Sequence, residues 1–158
     1  MMKKTVIVFV TLLIVFGIPF NGYAYAFEHI VKPSVSTTYV PPEKSREELY
    51  QDVFMTLLLP YIQDEVDKYY KEYLTTSPGV APYGVYILEA DRVNGYRGFD
   101  FRLKIELHPY VGPHLSVGTD YITLRVIPFY NVKVEKFEHI TSSELPPNYQ
   151  DIIKKKLP

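Results

Sequence analysis

The chain has no cysteine and no tryptophan. The missing cysteine excludes a disulfide scaffold, a thiol nucleophile, a lipidated cysteine, a zinc ribbon and an iron–sulfur site. The missing tryptophan counts against a sugar cleft built on indole stacking. Excess charge is missing too: 17 basic residues face 18 acidic ones, a formal net charge of −1 over 158 residues. There is no basic field for nucleic acid. No G-x-S-x-G, no phosphate-binding G-x-x-x-x-G-K and no H-E-x-x-H occurs, so no motif of an established mechanism can be read. No calcium loop appears, since acids at alternate positions with a central glycine are absent.

What is present begins with an address. Lys3 and Lys4 precede an apolar stretch from Val6 to Phe20, broken by Thr11, Gly17 and Pro19. Ala24-Tyr25-Ala26 then offers small residues where a signal peptidase reads. A basic start, a short apolar core and an A-x-A site predict a signal peptide over residues 1–26, cleaved after Ala26. The apolar run is about 15 residues, short of the ~20 that a spanning helix needs, which favours cleavage over an uncleaved anchor. The membrane is then touched only through this segment. The product would be secreted or extracytoplasmic. Losing Lys3 and Lys4 leaves 15 basic residues against 18 acidic ones. A secreted domain with no disulfide must be held by its core.

Residues 27–44 read as a flexible leader, with Pro33, Pro41 and Pro42 and no steady apolar period. One domain is expected over residues 45–140. Ser45 followed by Glu48 forms a capping box, and a helical pattern runs on to about Leu74. Pro60 interrupts it. The apolar face before Pro60 holds Leu49, Tyr50, Val53, Phe54, Leu57 and Leu58, and the face after it Ile62, Val66, Tyr69, Tyr70 and Tyr73. At about 100° per residue the two stripes differ by roughly 140°, which predicts a kink or break at Pro60. The three tyrosines are expected at the core edge with their hydroxyls in water.

Four strands are expected next: Tyr83–Ala90, Phe99–Leu107, Thr119–Ile127 and Val132–His139. Asn94-Gly95 marks the first turn. Phe99, Phe101, Leu103, Ile105 and Leu107 alternate with polar residues, so one face is buried and one is wet. Phe137 breaks the alternation of the fourth strand and predicts a bulge near Lys136. Residues 141–158 read as a tail with a short helix. A kinked helix packed on one face of a four-stranded antiparallel meander is an α+β, two-layer arrangement of cystatin-like layout. Layout alone carries no function.

The long connection between the second and third strands is the candidate binding loop. It contains His108, Tyr110, Gly112, Pro113 and His114, with Asp120 just beyond. Hairpins need far fewer residues. A metal-assisted hydrolase would use His108, His114 and Asp120. Histidines six apart match no ligand pattern, and the plainer reading has both bonded to backbone at strand ends. No catalytic residue, metal or cofactor is therefore assigned.

Several stretches in order resemble a known family: Glu48-Leu49-Tyr50-Gln51-Asp52, Thr56-Leu57-Leu58-Leu59-Pro60-Tyr61-Ile62, Tyr69-Tyr70, Tyr110-Val111-Gly112-Pro113-His114 and Asp120-Tyr121-Ile122-Thr123-Leu124-Arg125. They are similar to small exported proteins of spore-forming Gram-positive bacteria catalogued as domain of unknown function 3888. The resemblance spans about Glu47 to His139. It implies export and one small domain, and no activity. The expectation is a non-catalytic module that binds an envelope protein or wall component. The metal-assisted hydrolase is the alternative, and a protease-inhibitor-like role is a distant third.

Overall fold

In the computed structural model, residues 40–158 are described; the signal peptide expected over residues 1–26 and leader residues 27–39 lie outside them. Helix α1 spans Arg46–Tyr70. Ser45 caps it, its hydroxyl accepting the Glu48 N–H at 3.1 Å. The Glu48 carboxylate reaches one residue past the reciprocal position and accepts the Lys44 N–H at 2.5 Å.

α1 is continuous across Pro60, so the expected break does not occur. Its buried residues are Met55, Leu58, Ile62, Val66 and Tyr70, spaced three or four apart as a single stripe. Pro60 is exposed, and on the outer side of a helix the carbonyl that a proline leaves without its N–H partner is open to solvent. The two stripes need no reconciling because most of the first is not buried: Leu49, Tyr50, Val53 and Leu57 are exposed, Leu57 by 67%. The helix ends at Tyr70 rather than near Leu74: the N–H groups of Lys71 and Leu74 still bond back to Asp67 and Tyr70, but the Tyr73 carbonyl and the Thr75 N–H are taken by another segment. Leu74 bridges Ile153, and the Tyr73 carbonyl accepts the N–H groups of Lys154 and Lys155.

The sheet is an antiparallel meander. Its strands are β1 (Val85–Arg92), β2 (Phe101–Leu107), β5 (Gly118–Val126) and β6 (Lys133–Ser142), in that order across the sheet. Two short strands, β3 (Tyr110–Val111) and β4 (Leu115–Ser116), form a separate hairpin in the long connection. Alternation holds as expected in β2 and β5: Leu103, Ile105, Leu107, Ile122 and Leu124 are buried and meet the α1 stripe in one core. Phe99 is exposed, since it precedes β2. The bulge expected near Lys136 falls at Glu135. β6 continues to Ser142, and beyond it Leu145 is buried while Tyr149, Ile152, Ile153 and Leu157 pack on the core. A 3-10 helix, Pro147–Ile152, lies in this stretch. Among the described residues no helix is long and apolar enough to cross a membrane.

Candidate functional site

The site grows from a second bulge in β6. Gly118 pairs with Ser142 and Thr119 with Thr141, but Asp120 pairs with His139. Ile140 is the extra residue. Side chains along a strand alternate between faces, and one bulged residue resets that alternation. His139 and Ser142, three apart, thereby come to the same face, beside inward-pointing Asp120. Gly118, opposite Ser142, leaves room for the imidazole. A Cβ there would stand 2.9 Å from His139 Cε1 and 3.2 Å from the Tyr70 hydroxyl, and would press on the Thr141 carbonyl.

Four side chains then join end to end. The Tyr70 hydroxyl donates to Asp120 Oδ2 at 2.9 Å. Asp120 Oδ1 lies 2.6 Å from His139 Nδ1. His139 Nε2 lies 2.8 Å from Ser142 Oγ. Asp120 is fully buried and the His139 side chain is 7% exposed, whereas Ser142 reaches solvent. Tyr69 stacks on the imidazole, with centroids 5.2 Å apart, and Tyr70 meets it edge-on at 6.1 Å. Two tyrosine rings thus pack on the imidazole, and the chain runs from core to surface.

Burial is the largest influence on Asp120 and pushes its carboxyl above the ordinary range, against the hydrogen bonds from His139 and Tyr70. Burial, then the neighbouring Asp120 charge, pushes the Tyr70 hydroxyl strongly upward, so it stays a donor. Among the described residues no buried side-chain nitrogen or oxygen lacks a partner.

Ser142 opens onto a groove of about 530 Å³, whose walls include Glu144, Leu145, Ile153, Lys156 and Leu157. Its hydroxyl lies 2.8 Å from an oxygen of the Pro158 carboxylate, to which it donates. A hydroxyl has one proton. Given to Pro158, it leaves Nε2–H as the donor to Ser142. Given to His139, it leaves an Nδ1–H held by Asp120 and a serine oxygen ready for deprotonation. The second arrangement is that of a serine nucleophile, a histidine base and an acid that fixes the base's tautomer.

The residues singled out in the sequence are not gathered together. His108 Nε2 faces Glu106 Oε1 at 2.9 Å, and His114 Nδ1 faces the Tyr83 hydroxyl at 3.0 Å. His114 sits at φ 63° on the tip of the β3–β4 hairpin and stacks on Tyr110 at 4.3 Å. Gly112, at φ 52°, lies so close to the Tyr149 hydroxyl that a Cβ there would displace that ring, on a backbone that L side chains rarely adopt. Gly112 and Pro113 are exposed. Asp120 belongs to the buried chain. Among the described residues no group of three or more His, Asp or Glu is placed to hold a metal. The Tyr70 hydroxyl is buried and bonded, not wet as expected.

His139 and Ser142 were missed. One signal was readable: Asp120 shares parity with Ile122 and Leu124, which marks an acid on the buried face. Nothing in the spacing of His139 and Ser142 announces the bulge at Ile140.

No curated protein and no solved structure matches the chain significantly. A family model matches residues 50–141, which takes in Tyr70, Asp120 and His139 and stops one residue before Ser142. The chain belongs to that family, described as protein of unknown function DUF3888.

Proposed function

We propose that the chain is an exported envelope protein that hydrolyses acyl groups through Ser142. The observation that carries this reading is the unbroken line of hydrogen bonds from buried Asp120 through His139 to Ser142 at the mouth of a groove. Ser142 Oγ attacks a carbonyl carbon as His139 Nε2 takes its proton. Asp120 stabilises the resulting imidazolium and keeps the ring oriented, and Tyr70 keeps Asp120 oriented. His139 returns the proton to the leaving alcohol or amine as the carbonyl bond to it breaks. A water, deprotonated by His139, then splits the acyl-serine, releasing the acid and restoring the hydroxyl. No metal or cofactor enters these steps. Export rests on the basic, apolar and A-x-A pattern of residues 1–26.

The test is hydrolysis of an activated aryl ester by the mature chain, residues 27–158. Ser142→Ala and His139→Ala should each lower the rate about 10³-fold or more, while His108→Ala leaves it unchanged. Equal rates in wild type and His139→Ala would remove the reading.

One observation favours a second reading, a module that binds an envelope protein or wall component. Tyr83, Tyr110 and His114 form a cluster at the hairpin tip, with His114 and Tyr83 exposed. Cosedimentation with isolated wall polymer, reduced by Tyr83→Ala and His114→Ala, would support it.

A further inference from the structure

We infer that the segment Lys156–Pro158 is a product-like strap over Ser142, its carboxylate standing where the released acid would lie, and that the groove accepts an extended peptidyl acyl donor in its place. This rests on the reading of Ser142 as a nucleophile.

The strap follows a firmly anchored stretch. Ile153 bridges Leu74, and the N–H groups of Lys154 and Lys155 both go to the Tyr73 carbonyl. Lys154 Nζ donates to the Lys71 carbonyl at 3.0 Å, and Lys155 Nζ pairs with Glu72 Oε1 at 2.6 Å. Anchoring then stops. Among the described residues, the one hydrogen bond that reaches Lys156–Pro158 is that from Ser142 Oγ to the Pro158 carboxylate. Leu157 supplies the remaining hold through partial burial against the core. Three residues can therefore lift while the rest of the chain stays in place.

Their position is that of a ligand. Lys156 and Leu157 form part of the groove onto which Ser142 opens. The proline ring biases Leu157 toward extended backbone, the form in which a peptide lies along a groove. One oxygen of the Pro158 carboxylate lies 2.8 Å from Ser142 Oγ, where the acid product of an acyl transfer would lie. It accepts the one hydroxyl proton and so diverts it from His139 Nε2. Lifting the strap breaks that bond and lets the hydroxyl turn to Nε2. No covalent bond changes in this step. An extended peptide with an apolar side chain at the Leu157 position would bring its own carbonyl to Ser142. The substrate class is thus a peptidyl ester or amide with an apolar residue beside the reacting carbonyl.

The experiment compares rates of labelling by an alkyl fluorophosphonate, which esterifies the serine Oγ and expels fluoride, in the full chain and in chains ending at Lys155 or at Leu157. The second truncation retains Leu157 and its packing, and thermal melts report whether each chain is folded. Removal of the hydroxyl's competing acceptor should speed labelling roughly two- to tenfold, and added Lys-Leu-Pro tripeptide should slow the shortened chains back toward the full-chain rate. Folded chains labelled at Ser142 at equal rates would overturn the strap and leave the nucleophile standing. Faster labelling that the tripeptide fails to slow would also overturn it, because the groove would then not recognise the segment. Folded chains that are not labelled at Ser142 at all would remove both the nucleophile and the strap.

Discussion

Two clusters of charge sit at opposite ends of β5 and are held in opposite ways. At the far end Arg125 lies on the sheet's outer face, with Nε and Nη2 each 2.6 Å from the two Asp100 oxygens. Arg102 Nε pairs with Glu135 Oε2 at 2.8 Å, and Arg125 Nη1 approaches Glu135 Oε1 at 3.5 Å. The Arg125 hydrogen bonds hold the Asp100 carboxyl below its usual range, and those of Arg102 do the same for Glu135. At the near end Asp120 has no arginine or lysine. It is buried, and its carboxyl is pushed upward. The first cluster is arranged so that ionisation favours the fold. The second keeps an acid where ionisation works against the fold. A buried acid whose desolvation outweighs the hydrogen bonds to its charged form is a pattern that catalytic sites share, and it supports the role proposed for Asp120.

The comparison presupposes one register between β2 and β5, with Leu103 opposite Leu124 in the core and Lys104 opposite Thr123 outside. Leu103→Asp strands a carboxylate among apolar side chains and should cost more than about 4 kcal/mol, enough to unfold a small domain. Lys104→Ala loses the ammonium above the Tyr121 ring, 5.0 Å from its centroid, and should stay within about 0.5 kcal/mol. Urea denaturation of the two variants checks the ranking. The reverse order would mean a register wrong by one residue.

Acid should separate the clusters next. Asp100 and Glu135 have lowered folded-state values, so their contribution is present above the ordinary carboxylate range and is lost as pH falls through it and below. Melting temperatures of wild type should fall steeply on that limb. Arg125→Ala should start lower at neutral pH and fall less steeply, since the acids no longer have their main partner. Parallel limbs for the two chains would show that the outer cluster does not carry this acid sensitivity.

The smallest stability effect is expected at the near end, with the opposite sign. The raised value of Asp120 favours folding below the ordinary carboxylate range, and that gain disappears as pH rises through the raised value. Asp120→Asn does not titrate. Its amide oxygen can accept from His139 Nδ1–H, and its NH₂ can donate to the Tyr70 oxygen. The variant should match or slightly exceed wild-type stability at neutral pH, with an advantage that shrinks in acid. Yet it should lose ester hydrolysis, as an imidazolium beside an amide is not stabilised. A melt series from acid to neutral pH, run beside the ester assay, reads both. A variant both unstable and active would assign Asp120 to the scaffold.

Much of the fold was legible because β2 and β5 alternate without interruption, Ser45 marks the start of α1 and Asn94-Gly95 marks the turn before β2. The helix was legible in kind but not in its packing. The rotation between its two apolar stripes was real, yet apolar content does not say which stripe is buried, and the protein leaves Leu49, Tyr50, Val53 and Leu57 in solvent. The candidate site was legible only in Asp120. His139 and Ser142 reach it through one extra residue in β6, and a single-residue shift reverses every side chain beyond it. Phe137-Glu138-His139-Ile140 has no alternation strong enough to locate that shift. The hairpin loop drew attention through its two histidines, whereas its length reflects the small β3–β4 pair that Gly79 and Tyr149 brace.

The most direct measurement locates the reactive atom. A chain of residues 27–158 is treated with an alkyl fluorophosphonate, digested and mapped by mass spectrometry, beside His139→Ala and a urea-unfolded sample. The account predicts one adduct, on Ser142, absent from both controls. An adduct shared with Ser143 or another serine, or one on Ser142 that persists in His139→Ala or in urea, would contradict it.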